Sequence, residues 1–171
     1  MGAPHMTSAE LQEQHKRTET LRGPTGLGGW LILPALGLFA TPVLAIPTFG
    51  DLLPLLTSGA GLTAAQMLVV WFELISNVVL QLLAPAVLLA LFFQKKRYFP
   101  LLYAGWLAAN LLIMLLDLVF VYNAFRSYYD TPGVVFWDQD TAQGIGRAVF
   151  GAAIWIPYMF KSVRVKNTFV N

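Results

Sequence analysis

Three ionisable side chains lie inside long apolar stretches of the sequence: Glu73, Asp117 and Arg147. Charged groups in such surroundings are costly, so they usually pair with one another, face water, or serve binding and proton transfer. Residues four apart share one face of a helix, so Glu73, Asn77 and Gln81 predict a polar stripe. The complete polar track, a hypothetical binding site, comprises Glu73, Asn77, Gln81, Asn110, Asp117 and Arg147.

Arg147 allows three interpretations. An arginine without a partner in hydrocarbon is unfavourable by about 3 kcal/mol or more, which favours an ion pair with Asp117 or Glu73 inside the protein. The arginine can instead extend its long side chain outward to the membrane surface, or line a path for a substrate or a proton. We expect the ion pair, with the amide side chains continuing the track towards the middle of the membrane.

The residue types exclude most catalytic and metal chemistry. The chain has no cysteine, and its two histidines, His5 and His15, precede the first apolar stretch. Disulfides, thiolate nucleophiles and a histidine-held haem or metal within the apolar part are therefore excluded. Nucleophile elbows, zinc-protease motifs and phosphate-binding loops do not occur in the sequence. We expect no cofactor and no metal, and the sequence does not favour an enzyme.

Four apolar runs must position the polar track. They cover about residues 28–47, 64–93, 99–122 and 142–160, and about 20 helical residues are enough to cross about 30 Å of hydrocarbon. Since 57% of the residues are hydrophobic and 12% are charged, we predict an all-α membrane protein, a four-transmembrane-helix bundle. Pro34 and Pro42 predict a proline kink in the first helix.

The chain divides into three parts around these runs. Residues 1–6 have the appearance of a vector-derived remnant, residues 7–25 form a polar N-terminal segment, and residues 26–169 form the transmembrane domain. Of the loops between runs, residues 48–63 are apolar and are expected to lie on the outer membrane surface. Residues 123–141 contain charged and aromatic side chains and are expected to rest on the lipid headgroups, with binding of an extracytoplasmic partner as the alternative.

Basic residues set the predicted orientation, since they concentrate on the cytoplasmic side of membrane proteins. They cluster before the first run, between the second and third, and after the fourth: Lys16, Arg17, Arg22, Lys95, Lys96, Arg97, Lys161, Arg164 and Lys166. The loops on the other side contain Arg126 as their basic residue. Both termini are therefore predicted to be cytoplasmic. The residues expected to contact anionic headgroups on that face are Lys95, Lys96, Arg97, Lys161, Arg164 and Lys166.

This orientation places Glu73, Asp117 and Arg147 in the outer half of the membrane, with Arg147 deepest, at about 1.5 Å of helix per residue. Tryptophans near the ends of the runs are predicted to be interfacial: Trp71, Trp106, Trp137 and Trp155. In the fourth run, small residues recur every fourth position at Gly144, Ala148 and Ala152. Such a stripe lets another helix approach closely, and it favours packing within the chain over dimerisation.

Two segments resemble a known family. The first has the sequence GGWLILPALGL over residues 28–38, and the second comprises Arg147 and the sequence IWIPYMFKSVRVKNTF over residues 154–169. Together they resemble the bacterial membrane family DUF2569, over residues 26–169. The resemblance implies a four-span protein of the bacterial inner membrane and brings no established activity.

Alternation of polar and apolar residues after Lys161 predicts an extended segment that docks on the cytoplasmic face or on headgroups.

The expected function is non-catalytic: an accessory or scaffold protein that acts through helix packing and its outer loops. The alternative is a carrier or binding protein for a lipid or small solute, which would use the polar track. Expected partners are the lipid bilayer, other membrane proteins and further copies of the chain; a net charge of +2 gives no reason to expect nucleic acid. A cavity lined by the track would favour the carrier, and a closed protein with paired charges would favour the scaffold.

Overall fold

The computed structural model describes residues 7–13, 23–58, 61–137 and 139–171. This part of the chain is helical and contains no strand, as predicted. The remnant predicted at residues 1–6 lies outside the described residues, as do the basic residues of the N-terminal segment, Lys16, Arg17 and Arg22. Residues 8–13 form a short exposed helical segment.

The first apolar run and much of the loop after it form two consecutive helices. A 3-10 turn, Gly29–Leu31, leads into α1, Ile32–Leu44, and α2 follows as Ile46–Thr57. The two are separated at Ala45, whose N–H still donates to the carbonyl of Thr41 at 3.1 Å. Pro47, in the first turn of α2, has no N–H with which to continue the helical bonding of α1. Much of the predicted outer loop, residues 48–63, is therefore helical.

The second apolar run changes its helical pitch in the middle. α3, Ala64–Asn77, begins with a capping box between Thr63 and Gln66. A six-residue π-helical segment, Val78–Leu83, follows, and α4, Ala84–Phe93, completes the run. Segments of this kind are rare and often occur at functional sites.

Pro85 and Trp106 account for the local bonding of this π-helical segment. The N–H of Ala84 donates to the carbonyl of Val79, and the next residue, Pro85, has no N–H to offer the carbonyl of Leu80. The indole Nε1–H of Trp106 donates to that carbonyl at 2.8 Å instead. Trp106 is partly buried against the core, so its ring packs between helices while its indole N–H bonds to the Leu80 carbonyl.

Replacing Trp106 with phenylalanine is expected to lower the free energy of unfolding by about 1 kcal/mol, because the Leu80 carbonyl loses its donor. Thermal unfolding in detergent micelles measures the effect. Trp137→Phe is the control, since Trp137 is 58% exposed and should tolerate the change. Equal melting temperatures for the two variants would show that the indole bond contributes nothing.

The third and fourth runs form a long antiparallel pair. α5 is Phe99–Ala124, a single turn α6, Arg126–Tyr129, follows, and α7 is Gln139–Lys161. The packing between α5 and α7 is the most extensive in the described chain. A Cβ on Gly144 would lie 3.0 Å from Cε of Met114, so the small-residue stripe of α7 allows close packing on α5.

Three helical stretches are long and apolar enough to cross a membrane: Gly29–Thr57, Ala64–Phe93 and Phe99–Ala124. This finding, made within the described residues, points to a membrane protein but gives three such helices where four were predicted. α7 has 23 residues, which is a sufficient length. Its mean hydropathy is lowered by Gln143, Arg147 and the glycines of its first half. α7 is therefore absent from the three membrane-spanning candidates because of its composition and not because of its length.

The buried core lies at one end of these helices. It joins α1, α4, α5, α7 and the C-terminal segment, through Leu31, Leu38, Leu88, Phe92, Phe99, Tyr103, Met159, Val165 and Phe169. The ring of Phe169 stacks on Phe99 with centroids 4.6 Å apart, and Phe92 lies against Phe99 at 5.3 Å. Aromatic packing of this kind closes that end of the protein.

The C-terminal segment is helical, which corrects the extended conformation predicted for it. α8, Val163–Thr168, begins at Ser162, whose hydroxyl accepts from the N–H of Val165. Val165, Thr168 and Phe169 are buried, at the spacing of one helical face. The polar–apolar alternation predicted buried side chains two residues apart, as in an extended segment. The side chains that are buried are instead three and four residues apart, as on one face of a helix.

The C-terminal segment also holds two other parts of the chain. The Thr168 hydroxyl accepts from the N–H of Gly26 at 3.0 Å, and the Arg164 guanidinium lies against Gly28 and Gly29. The Asn171 carbonyl accepts from the N–H of Arg97 at 2.7 Å. Residues 26–29, the turn between α4 and α5, and the C-terminal segment therefore lie together at the same end as the core.

Candidate functional site

The predicted polar track lines a cavity of about 330 Å³ between α3, the π-helical segment and α5. The track residues in its wall are Glu73, Asn77, Gln81, Asn110 and Asp117. Their helices bring them together because Glu73, Asn77 and Gln81 recur on one face, opposite the face of α5 that carries Asn110 and Asp117. Other wall residues are Thr48, Phe72, Ser76, Leu80, Ile113, Met114 and Ala148.

The sixth track residue, Arg147, lines a second cavity of about 450 Å³. The two cavities adjoin, since Thr48, Asn77 and Gln81 belong to the walls of both. The rest of the second wall comes from α1 and the residue after it, through Thr41, Leu44 and Ala45, and from α7, through Gly144 and Arg147. α1 packs mainly on α4 and α7 mainly on α5, so the second cavity lies in the gap between α1 and α7.

Amide hydrogen bonds connect the helices around the first cavity. Gln81 Nε2 donates to Asn110 Oδ1 at 2.9 Å, and Asn110 Nδ2 donates to the Trp106 carbonyl at 2.8 Å. Asn77 Nδ2 donates to the Glu73 carbonyl at 2.9 Å. The π-helical segment and α5 are thus joined by side chains of the track, which positions the wall of the cavity.

The carboxylates of the cavity are not paired with arginine. Asp117 Oδ1 is buried without a hydrogen-bond partner among the described residues. The Arg147 guanidinium donates to Gln143 Oε1 at 3.3 Å, one turn earlier on α7. Because Arg147 is exposed on the α7 surface and faces the second cavity, the predicted ion pair with Asp117 or Glu73 is wrong. Its bond to Gln143 agrees with the alternative prediction, in which the arginine side chain extends outward to the membrane surface.

A family model described as "Protein of unknown function (DUF2569)" matches residues 24–170. The chain belongs to the DUF2569 family. The resemblance predicted from its two terminal segments is thereby confirmed, and those segments contact each other in the structure. No curated protein and no solved structure matches this DUF2569 protein.

Several wall residues of this DUF2569 protein were not predicted. Ser76 lies one turn from Glu73 on α3, and its small hydroxyl gives no signal within an apolar run. Thr48 was assigned to a loop, but α2 places it in the wall of both cavities. Phe72 resembles an ordinary lipid-facing or core side chain, so only its position in the fold reveals it.

The predicted basic residues lie at the opposite end of the DUF2569 protein, around the aromatic core. Lys95, Lys96, Arg97, Lys161 and Lys166 are exposed. Arg164 is partly buried against Gly28 and Gly29, so it supports the packing of the termini. Within the described ranges, no group of three acidic, histidine or cysteine side chains could hold a metal ion.

Proposed function

We propose that this DUF2569 protein is an intramembrane binding protein, or the binding component of a carrier, for a small polar solute or a lipid headgroup. The observation that supports the proposal is the arrangement of all six track residues around two adjoining cavities. A scaffold would be favoured by a closed interior with paired charges, but Asp117 Oδ1 has no partner within the described chain. The protein would act with further copies of itself or with other membrane proteins.

The proposal includes four membrane crossings in the bacterial inner membrane, with both termini cytoplasmic. The 23 residues of α7 give a helix of about 34 Å, and α7 runs antiparallel to α5. The C-terminal segment returns to residues 26–29 and to the turn between α4 and α5. If the three apolar helices cross the membrane, α7 must therefore cross it as well. The proline-kinked first span belongs to the same proposal.

Access to the cavities is proposed to come from the outer half of the membrane. The aromatic core closes the cytoplasmic end, whereas Asp117 lies 18 residues after Phe99, or about 27 Å along α5. The gap between α1 and α7 opens the second cavity sideways. A ligand would therefore enter from the outer leaflet or the outer aqueous phase.

The proposal is tested by filling the first cavity without changing its charges. Ala148 lines the cavity, whereas its neighbour Val149 is exposed on the lipid-facing surface. Mass spectrometry of protein extracted from native membranes should show at least tenfold less retained small molecule or lipid in Ala148→Phe than in the wild type. Val149→Phe is the matched control and should retain as much as the wild type. Identical retained molecules in all three proteins would contradict the proposal.

A further inference from the structure

The charges around the two cavities are separated by sign. In the first cavity, Glu73 and Asp117 supply carboxylates and no basic side chain belongs to the wall. Asp117 Oδ1 is a buried acceptor without a donor in the described chain. Phe72 contributes an aromatic ring to the same wall, and aromatic faces attract cations. This end of the site is suited to an ammonium group.

The second cavity has the opposite character. Arg147 contributes a guanidinium, which engages Gln143 through one nitrogen and so keeps further N–H donors for a ligand. Guanidinium groups bind phosphate in a bidentate manner. Thr48, Asn77 and Gln81 line both cavities and supply uncharged polar groups where the two adjoin.

The gap between α1 and α7 gives the second cavity a lateral border with the membrane. Leu44 lines this cavity and is largely exposed, as is the neighbouring Val43. An acyl chain could lie against these residues while its headgroup occupies the polar space. The site therefore suits a headgroup that enters sideways from the outer leaflet.

We propose that the two cavities bind a phosphate–ammonium zwitterion of the phosphoethanolamine type, with the ammonium at Glu73 and Asp117 and the phosphate at Arg147. This inference rests on the proposed function and names its ligand class. The same chemistry occurs in phosphatidylethanolamine and in free phosphoethanolamine, so the test must distinguish a lipid from a soluble source.

The test measures lipid retention by native mass spectrometry. The full chain, in nanodiscs with equal amounts of phosphatidylethanolamine and phosphatidylglycerol, should retain the former at least tenfold more, because the latter lacks an ammonium. Glu73→Gln combined with Asp117→Asn should abolish that preference. Arg147→Gln should weaken retention of both lipids, whereas Arg126→Gln, in the single turn α6 away from both cavities, should behave as the wild type. Displacement of the lipid by millimolar free phosphoethanolamine would identify a soluble source, and its failure would identify the lipid.

Equal retention of the two lipids by the wild type would overturn the inference, as would an unchanged preference in the doubly neutralised protein. If the variants do not fold, the wild-type preference decides the matter. Retention of a different molecule that is lost in Ala148→Phe would leave the proposed function standing while this inference fails. Retention of nothing in the cavity would remove both.

Discussion

Replacing Phe169 with alanine is expected to lower the free energy of unfolding by about 3–5 kcal/mol, the usual cost of removing a buried phenylalanine ring. Phe169 is 5% exposed, and its ring centroid lies 4.6 Å from that of Phe99 and 5.8 Å from that of Phe92. Removing the ring leaves a cavity between α4, α5 and the C-terminal segment. The C-terminal segment should then also detach from residues 26–29, which precede α1.

Thermal unfolding of the detergent-purified protein measures this loss, and limited proteolysis at the C-terminus reports the detachment. Val170→Ala is the matched control, because Val170 is adjacent and 67% exposed. The control should unfold at the wild-type temperature. A Phe169→Ala protein as stable as Val170→Ala would show that the C-terminal segment does not contribute to the core.

Replacing Gly29 with alanine is expected to cost about 1–2 kcal/mol from backbone conformation, because an L-residue is disfavoured at positive φ. Gly29 has φ +60°, and an added Cβ would lie 3.3 Å from Cζ of Arg164. Substitution therefore strains the turn before α1 and presses on the guanidinium that packs there. Both effects loosen the contact between the two terminal segments.

Gly28→Ala is the control for this prediction. Gly28 has φ −137°, which any residue adopts, and an added Cβ would lie at an ordinary 3.5 Å from the Arg164 guanidinium. Its unfolding temperature should stay close to that of the wild type. A Gly28→Ala protein less stable than Gly29→Ala would contradict the account of this turn.

The long helices and the shared face of Glu73, Asn77 and Gln81 could be predicted because each leaves a simple signal in the sequence. Hydropathy locates helices such as Ala64–Phe93, and the spacing of four residues placed Glu73, Asn77 and Gln81 on one face. α7 has a weaker signal, since Gln143 and Arg147 interrupt its apolar residues. α8 was missed because a six-residue helix is held mainly by its tertiary contacts.

The ion pair and the role of Trp106 required the structure. Sequence position gives the depth of a residue along its helix, but not the rotation of that helix against its neighbours. Arg147 has a depth compatible with Asp117, yet its side chain faces α1 and bonds to Gln143. The Leu80 carbonyl lacks a backbone donor because Pro85 has no N–H. Only the fold shows that the Trp106 indole supplies the donor instead.

Labelling of single cysteines in intact cells tests most directly the central claim, a polar cavity within the membrane that is accessible from its outer side. The chain has no native cysteine, and thiols react as thiolates, which require water. A membrane-impermeant, ammonium-bearing thiol reagent should label Ser76→Cys, whose position lines the first cavity. It should not label Ile75→Cys, which is 57% exposed and faces lipid, and it should label Val170→Cys only after the cells are permeabilised. An unreactive Ser76→Cys in a folded protein would contradict the claim.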